Sequence, residues 1–106
     1  VISRRDLLPG LQAVQSSHAA IQFVFDHPVI SKKWFTISNY LIFLSVKTEP
    51  DLLALVEKFK QHGLVYSTFH EPDLDNALTA VTVEPSDNAR KIVSGLPLLL
   101  KEFKCN

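Results

Sequence analysis

The chain has 106 residues, eleven acidic against eleven basic, with 46% apolar and 21% charged side chains. That length supports one modest core, so residues 1–106 read as a single domain, and the apolar share excludes a disordered chain. Zero formal charge argues against a surface built wholly for gripping phosphates, although a local basic patch stays open.

No apolar run approaches the roughly 20 residues of a membrane span, and no signal-peptide pattern is present. Cys105 is the only cysteine, so an intrachain disulfide is excluded. A lone thiol beside the terminus reads as incidental rather than catalytic. It fits a reducing compartment, and a cytoplasmic location is expected.

In chain order, Val1 to Arg4 reads as a strand, and Arg4-Arg5-Asp6 as its polar end leading to the Pro9-Gly10 turn. Leu11, Val14, His18, Ile21 and Phe25 recur at helical spacing. They predict an amphipathic helix to Asp26 with that stripe buried. His18 lies at the stripe's edge, beside Gln15 and Gln22, half packed and half presented. A histidine satisfied by one hydrogen bond is the plain alternative to a working imidazole. Asp26-His27-Pro28 stops the helix. Val29 to Thr36 reads as a connector with room for a short helix, its Trp34 and Phe35 packing on the core.

Tyr40 to Val46 is almost continuously apolar, which predicts a strand buried on both faces. Thr48 reads as a helix N-cap, with Asp51 three residues on as a relative of the capping box. Leu52, Leu55, Val56 and Phe59 form that helix's buried stripe, and Gly63 its left-handed C-cap. Leu64 to Phe69 predicts a third strand, Glu71 to Asn76 an acidic turn, and Ala77 to Val83 a fourth strand with Thr79 and Thr82 on opposite faces. Ser86 caps a last helix, and Leu96 to Phe103 is an apolar tail for the sheet or a second subunit. The order predicts a three-layer α/β/α domain around a four-stranded mixed sheet, its first two crossovers parallel and right-handed.

Phosphate-cradling glycine loops, paired-histidine metal motifs and a Gly-x-Ser-x-Gly elbow are absent, so neither a cofactor nor a metal site is expected. Three residues remain: His18 on the first helix, Glu71 at the exit of the third strand, and Thr79 on the fourth. A histidine can take a proton from water near neutral pH, and a carboxylate can orient it. A threonine can hold a carbonyl or a water. The plain readings are a solvated loop acid for Glu71 and an ordinary strand residue for Thr79.

With these residues in view, the chain resembles the peptidyl-tRNA hydrolase 2 family. Arg4, Asp6 and Leu7 match its Arg-x-Asp-Leu strand end. Ala13, Val14, Gln15, His18 and Ala19 match its helix reading roughly Ala-Ala-Gln-x-x-His-Ala. Trp34, the Leu52-Leu53 pair, Gly63, Glu71 and Thr79 follow in the family's order, and the resemblance extends to about Leu100. There are departures. Leu11 stands where the family has a lysine, Glu71 where it usually has aspartate, and Pro72 to Asn76 replaces a glycine-rich loop.

The resemblance implies hydrolysis of the ester between a peptide, or a blocked amino acid, and tRNA. His18 would be general base, Glu71 its orienting carboxylate, and Thr79 and Gln15 substrate-positioning groups. Backbone amides near Gly10, or Arg4, would face the oxyanion. It also implies a homodimer, to which the apolar tail and helix faces would contribute. Two other readings stay open: a catalytically silent binding or dimerisation module, and a hydrolase of a smaller ester or amide.

Overall fold

A computed structural model describes residues 1–101. Cys105 and the end of the apolar tail lie outside the described residues. The elements are β1 (Ile2–Arg4), α1 (Pro9–Asp26), α2 (Pro28–Ile37), β2 (Leu44–Val46), α3 (Glu49–Gln61), β3 (Tyr66–Glu71), a 3-10 turn (Pro72–Leu74), β4 (Ala77–Val83) and α4 (Asp87–Val93). This is an α/β domain with a four-stranded mixed sheet in the order β2-β1-β4-β3. β1 and β2 are parallel, and β4 runs antiparallel to both of its neighbours.

α3 forms for the reasons its sequence advertises. Asp51 Oδ2 accepts from the Thr48 N–H at 3.2 Å and from the Thr48 hydroxyl at 2.9 Å, holding the first turn. Gly63 ends the helix region at φ 64°, where a side chain would be strained. Leu52, Leu55 and Phe59 are buried in one cluster with Ile2, Val46, Leu78 and Val81. Ser86 caps α4 by accepting from the Ala89 N–H at 3.2 Å.

α1 differs from its prediction. Its buried residues are Gln12, Gln15, Ser16, Ala19 and Phe23, while Val14, Ile21 and Phe25 are 48%, 53% and 80% exposed. At about 100° per residue the buried set is centred roughly 115° around the helix from His18. The physical reason is that polar partners await the amides on this face: the Thr79 hydroxyl of β4 donates to Gln15, and the Arg5 and Leu7 carbonyls of the β1–α1 connection accept from Gln12 Nε2.

β2 is also not the doubly buried strand expected. Only Leu44–Val46 pairs with β1, and Tyr40, Leu41 and Ile42 are exposed. β2 is a sheet edge, and the tail covers it: Ser45 N–H donates to Pro97 O and Leu99 N–H to Phe43 O, both at 2.9 Å. Such a cover removes an open template for strand addition. Phe35 is exposed rather than packed, whereas Trp34 is half-buried and its Nε1–H donates to Tyr40 O at 2.7 Å.

β4 carries a bulge. Phe69 pairs with Ala80 and His70 with Leu78, so Thr79 is an extra residue in the ladder. A bulge places two successive side chains on one side of the sheet and reverses the alternation beyond it. Thr79 therefore reaches α1, while Leu78 and Val81 both join the cluster beneath α3. Thr79 and Thr82 consequently share a face, contrary to simple alternation.

Candidate functional site

The bulge begins a chain of contacts that ends at His18. Thr79 is fully buried, and its hydroxyl donates to Gln15 Oε1 at 2.6 Å, with Phe69 O as a second acceptor at 3.3 Å. Ser3 Oγ donates to Thr79 O at 3.2 Å, tying the bulge to β1. Gln12 Nε2 donates to Leu7 O and Arg5 O, at 2.5 and 3.3 Å, which fixes the first turn of α1 against the end of β1. These bonds set both the rotation and the height of α1 over the sheet.

With α1 held in that register, His18 is solvent-exposed, three residues beyond Gln15. Its ring lies against Phe69 of β3, centroids 4.7 Å apart at an interplanar angle of 50°. The ring makes no side-chain hydrogen bond among the described residues. It is thus presented rather than half packed, with one face supported by an aromatic platform.

Glu71 ends β3 two residues beyond Phe69 and is half-buried. Strand alternation puts it on the same side of β3 as Phe69, roughly 7 Å further along. No hydrogen bond or ion pair joins Glu71 to His18 among the described residues. His18 thus rests on Phe69, Glu71 ends the same strand two residues on, and Thr79 and Gln15 are buried and bonded to each other.

Arg4 sits at the end of β1 in a web of its own. Its Nε and Nη2 donate to the two Asp6 carboxylate oxygens at 3.0 and 2.9 Å, and Nη1 donates to Leu78 O at 3.1 Å. Glu49, 3.7 Å from Nη1, accepts from the Leu78 N–H at 2.7 Å. The hydrogen bond from Arg4 holds the Asp6 carboxyl below its ordinary range, and the same bond raises the Arg4 guanidinium. Gly10 is the second residue of α1, with open space where a Cβ would stand. The first N–H groups of any helix lack intrahelical acceptors, so its amide is available.

Two contributors were not singled out from sequence. Phe69 had a detectable signal, since it precedes Glu71 by two residues and so shares its face. Gln12 had none, because its acceptors are backbone carbonyls. Among the described residues no group of three or more His, Cys, Asp or Glu could hold a metal ion, and no helix is long and apolar enough to cross a membrane.

The class defined by this geometry is an α/β domain with a four-stranded mixed sheet, an exposed imidazole against β3 and a carboxylate at that strand's end. The family model described as peptidyl-tRNA hydrolase PTH2 matches residues 1–99, and the chain belongs to that family.

Proposed function

We propose that the chain hydrolyses the ester joining a peptide, or a blocked amino acid, to the ribose of tRNA, with His18 as general base. The observation that carries this reading is the exposed His18 ring on Phe69, in a chain matched by the family over residues 1–99. A neutral imidazole takes a proton from water as the water oxygen adds to the ester carbonyl. The bond to the ribose oxygen then breaks, and that oxygen receives the proton. Glu71 orients the water or the imidazole. Gly10 and the positive end of α1 lie eight residues, about 12 Å along the helix, from His18 and are assigned to substrate binding rather than to the oxyanion. Arg4, already engaged by Asp6 and Leu78, supports this end of the site through its fixed charge. Thr79 and Gln15, buried against each other, support the reading as positioning residues for α1.

The partner implied is a peptidyl-tRNA or related tRNA ester, in the cytoplasm. A homodimer is part of the proposal, since Val14, Ile21 and Phe25 leave an apolar stripe on α1 exposed. A monomer's mass across a wide concentration range would remove that part. The same stripe, with Leu11 at the family's lysine position, favours the second reading of a silent dimerisation module.

The test compares release of free tRNA from N-acetylated aminoacyl-tRNA with hydrolysis of a small N-blocked amino-acid ester. Turnover of the first supports the proposal. Turnover of the small ester alone transfers the chemistry to a smaller substrate, and no turnover of either by the folded protein favours the module.

A further inference from the structure

A pocket away from His18 is lined by three cations. It has a volume of about 340 Å³ and lies where the ends of β1 and β2 meet α3, α4 and the tail. Arg5, Lys47 and Lys58 line it, each from a different segment. Asp51 is the one carboxylate in the lining, and its Oδ2 is engaged by the Thr48 N–H and hydroxyl. Among the described residues the ion pairs are both made by Arg4, so none of the three lining cations is neutralised by a carboxylate at contact. Arg5 is oriented by Ser45: its Nη1 donates to Ser45 Oγ at 3.3 Å. Ser45 is 2% exposed, so a buried hydroxyl steers this guanidinium.

Below the cations the lining changes character. Val46, Leu55, Ile92 and Leu96 form an apolar floor. A bare inorganic ion has no use for such a floor. A small ring carrying a phosphate satisfies both halves, and the volume falls at the lower end of the ~300–1,000 Å³ of small-molecule sites. His18 stands over β3 on the α1 face of the sheet and the pocket lies at the β2 edge on the α3 face, offset laterally by three strand spacings, or roughly 14 Å, and separated further by the sheet itself. We propose that this pocket binds the phosphate and base of a single nucleotide. The proposal rests on the tRNA-ester reading only for the source of that nucleotide, a tRNA strand rather than a free mononucleotide.

Calorimetric titration with 5′-AMP tests the site itself. The intact protein is expected to bind saturably at millimolar concentration or below, more tightly than inorganic phosphate. Lys47→Glu with Lys58→Glu is expected to weaken 5′-AMP at least 10-fold, since charge-assisted contacts are each worth about that much. Lys47→Gln with Lys58→Gln, a milder pair, should move the same way if the reversal disturbs folding. Hydrolysis of a small blocked amino-acid ester should be unchanged in both. No binding by the folded protein, or equal binding by the variants, overturns the site.

Deacylated tRNA then identifies the source. A salt slope lowered by about 2 in the variants supports a tRNA strand. An unchanged tRNA affinity alongside lost 5′-AMP binding supports the site and assigns it to free nucleotides. If 5′-AMP binds as expected while no ester is turned over, the hydrolase reading fails and the site stands.

Discussion

Thr79→Val removes a hydroxyl at a fully buried position while nearly keeping its shape. The hydroxyl donates to Gln15 Oε1 at 2.6 Å, and Gln15 is itself 1% exposed. The lost bond is worth about 1 kcal/mol, and stranding a buried carbonyl oxygen costs about 1–3 kcal/mol more, so a destabilisation of about 2–4 kcal/mol is expected. At ~4–8 °C per kcal/mol for a domain near this size, the thermal midpoint should fall by roughly 8–32 °C. Gln15→Leu should cost less, because the Thr79 hydroxyl keeps Phe69 O at 3.3 Å as an acceptor. The double variant replaces both partners with apolar groups. It should be more stable than the sum of the singles by about 1 kcal/mol or more, read by urea unfolding of all four proteins. A Thr79→Val protein within about 0.5 kcal/mol of the parent, or strict additivity, would refute the idea that this pair holds α1 in register.

Other consequences are simpler. Phe59→Ala, at a fully buried position in the α3 cluster, should cost about 3–5 kcal/mol by urea unfolding, and a smaller loss would mean that the cavity collapses. Asp51→Ala removes the acceptor that holds Thr48 and should cost about 1 kcal/mol, with no change in the unfolding slope. Asp6 has its folded pKa lowered by Arg4, so its stabilising contribution is full above the unfolded value of about 3.9. That contribution disappears as pH falls through the lower folded value, and Asp6→Asn should flatten this acid limb of the stability profile. On the homodimer proposal, Ile21→Asp with Val14→Asp should give a monomer by sedimentation and abolish the concentration dependence of the thermal midpoint, since both side chains are exposed in the single chain.

Helix α3 was legible because its local signals agree with its tertiary role, and strand β4 was legible in its bounds but not in its faces, which the bulge at Thr79 reverses. Leu52, Leu55 and Phe59 repeat at helical spacing, Thr48 and Asp51 mark the start, and Gly63 marks the end. The Ala77–Val83 strand was bounded correctly for the same reason. α1 ends at Asp26 as its sequence indicates, but Pro9 and Gly10 are its first two residues rather than a turn before it, and its buried face was misassigned. Hydrophobic periodicity selects the stripe Val14, Ile21 and Phe25, yet burial follows Gln12, Gln15 and Ser16, and the partner of Gln15 lies on a distant segment of chain. An amide facing a hydroxyl across 64 positions of sequence leaves no local trace. The Tyr40 to Val46 run misled in the opposite sense, since apolar residues there lie beside a sheet edge closed by the tail.

The candidate site shows the same division. His18, Glu71, Gln15 and Thr79 were named from residue type and resemblance, and their neighbourhood follows from one bulge that no periodicity reveals. Moving Thr79 one position in the ladder aims its hydroxyl at Gln15, and three residues further His18 meets Phe69. The aromatic platform was overlooked because a phenylalanine in a strand reads as core.

The most direct measurement is single-turnover release of free tRNA from N-acetylated aminoacyl-tRNA by the parent protein and by His18→Ala. A general base contributes about 10²–10⁴-fold, so the variant should lose that much while its thermal midpoint stays within a few degrees, the side chain being exposed and making no hydrogen bond among the described residues. Turnover in the variant equal to the parent's would contradict the role given to His18.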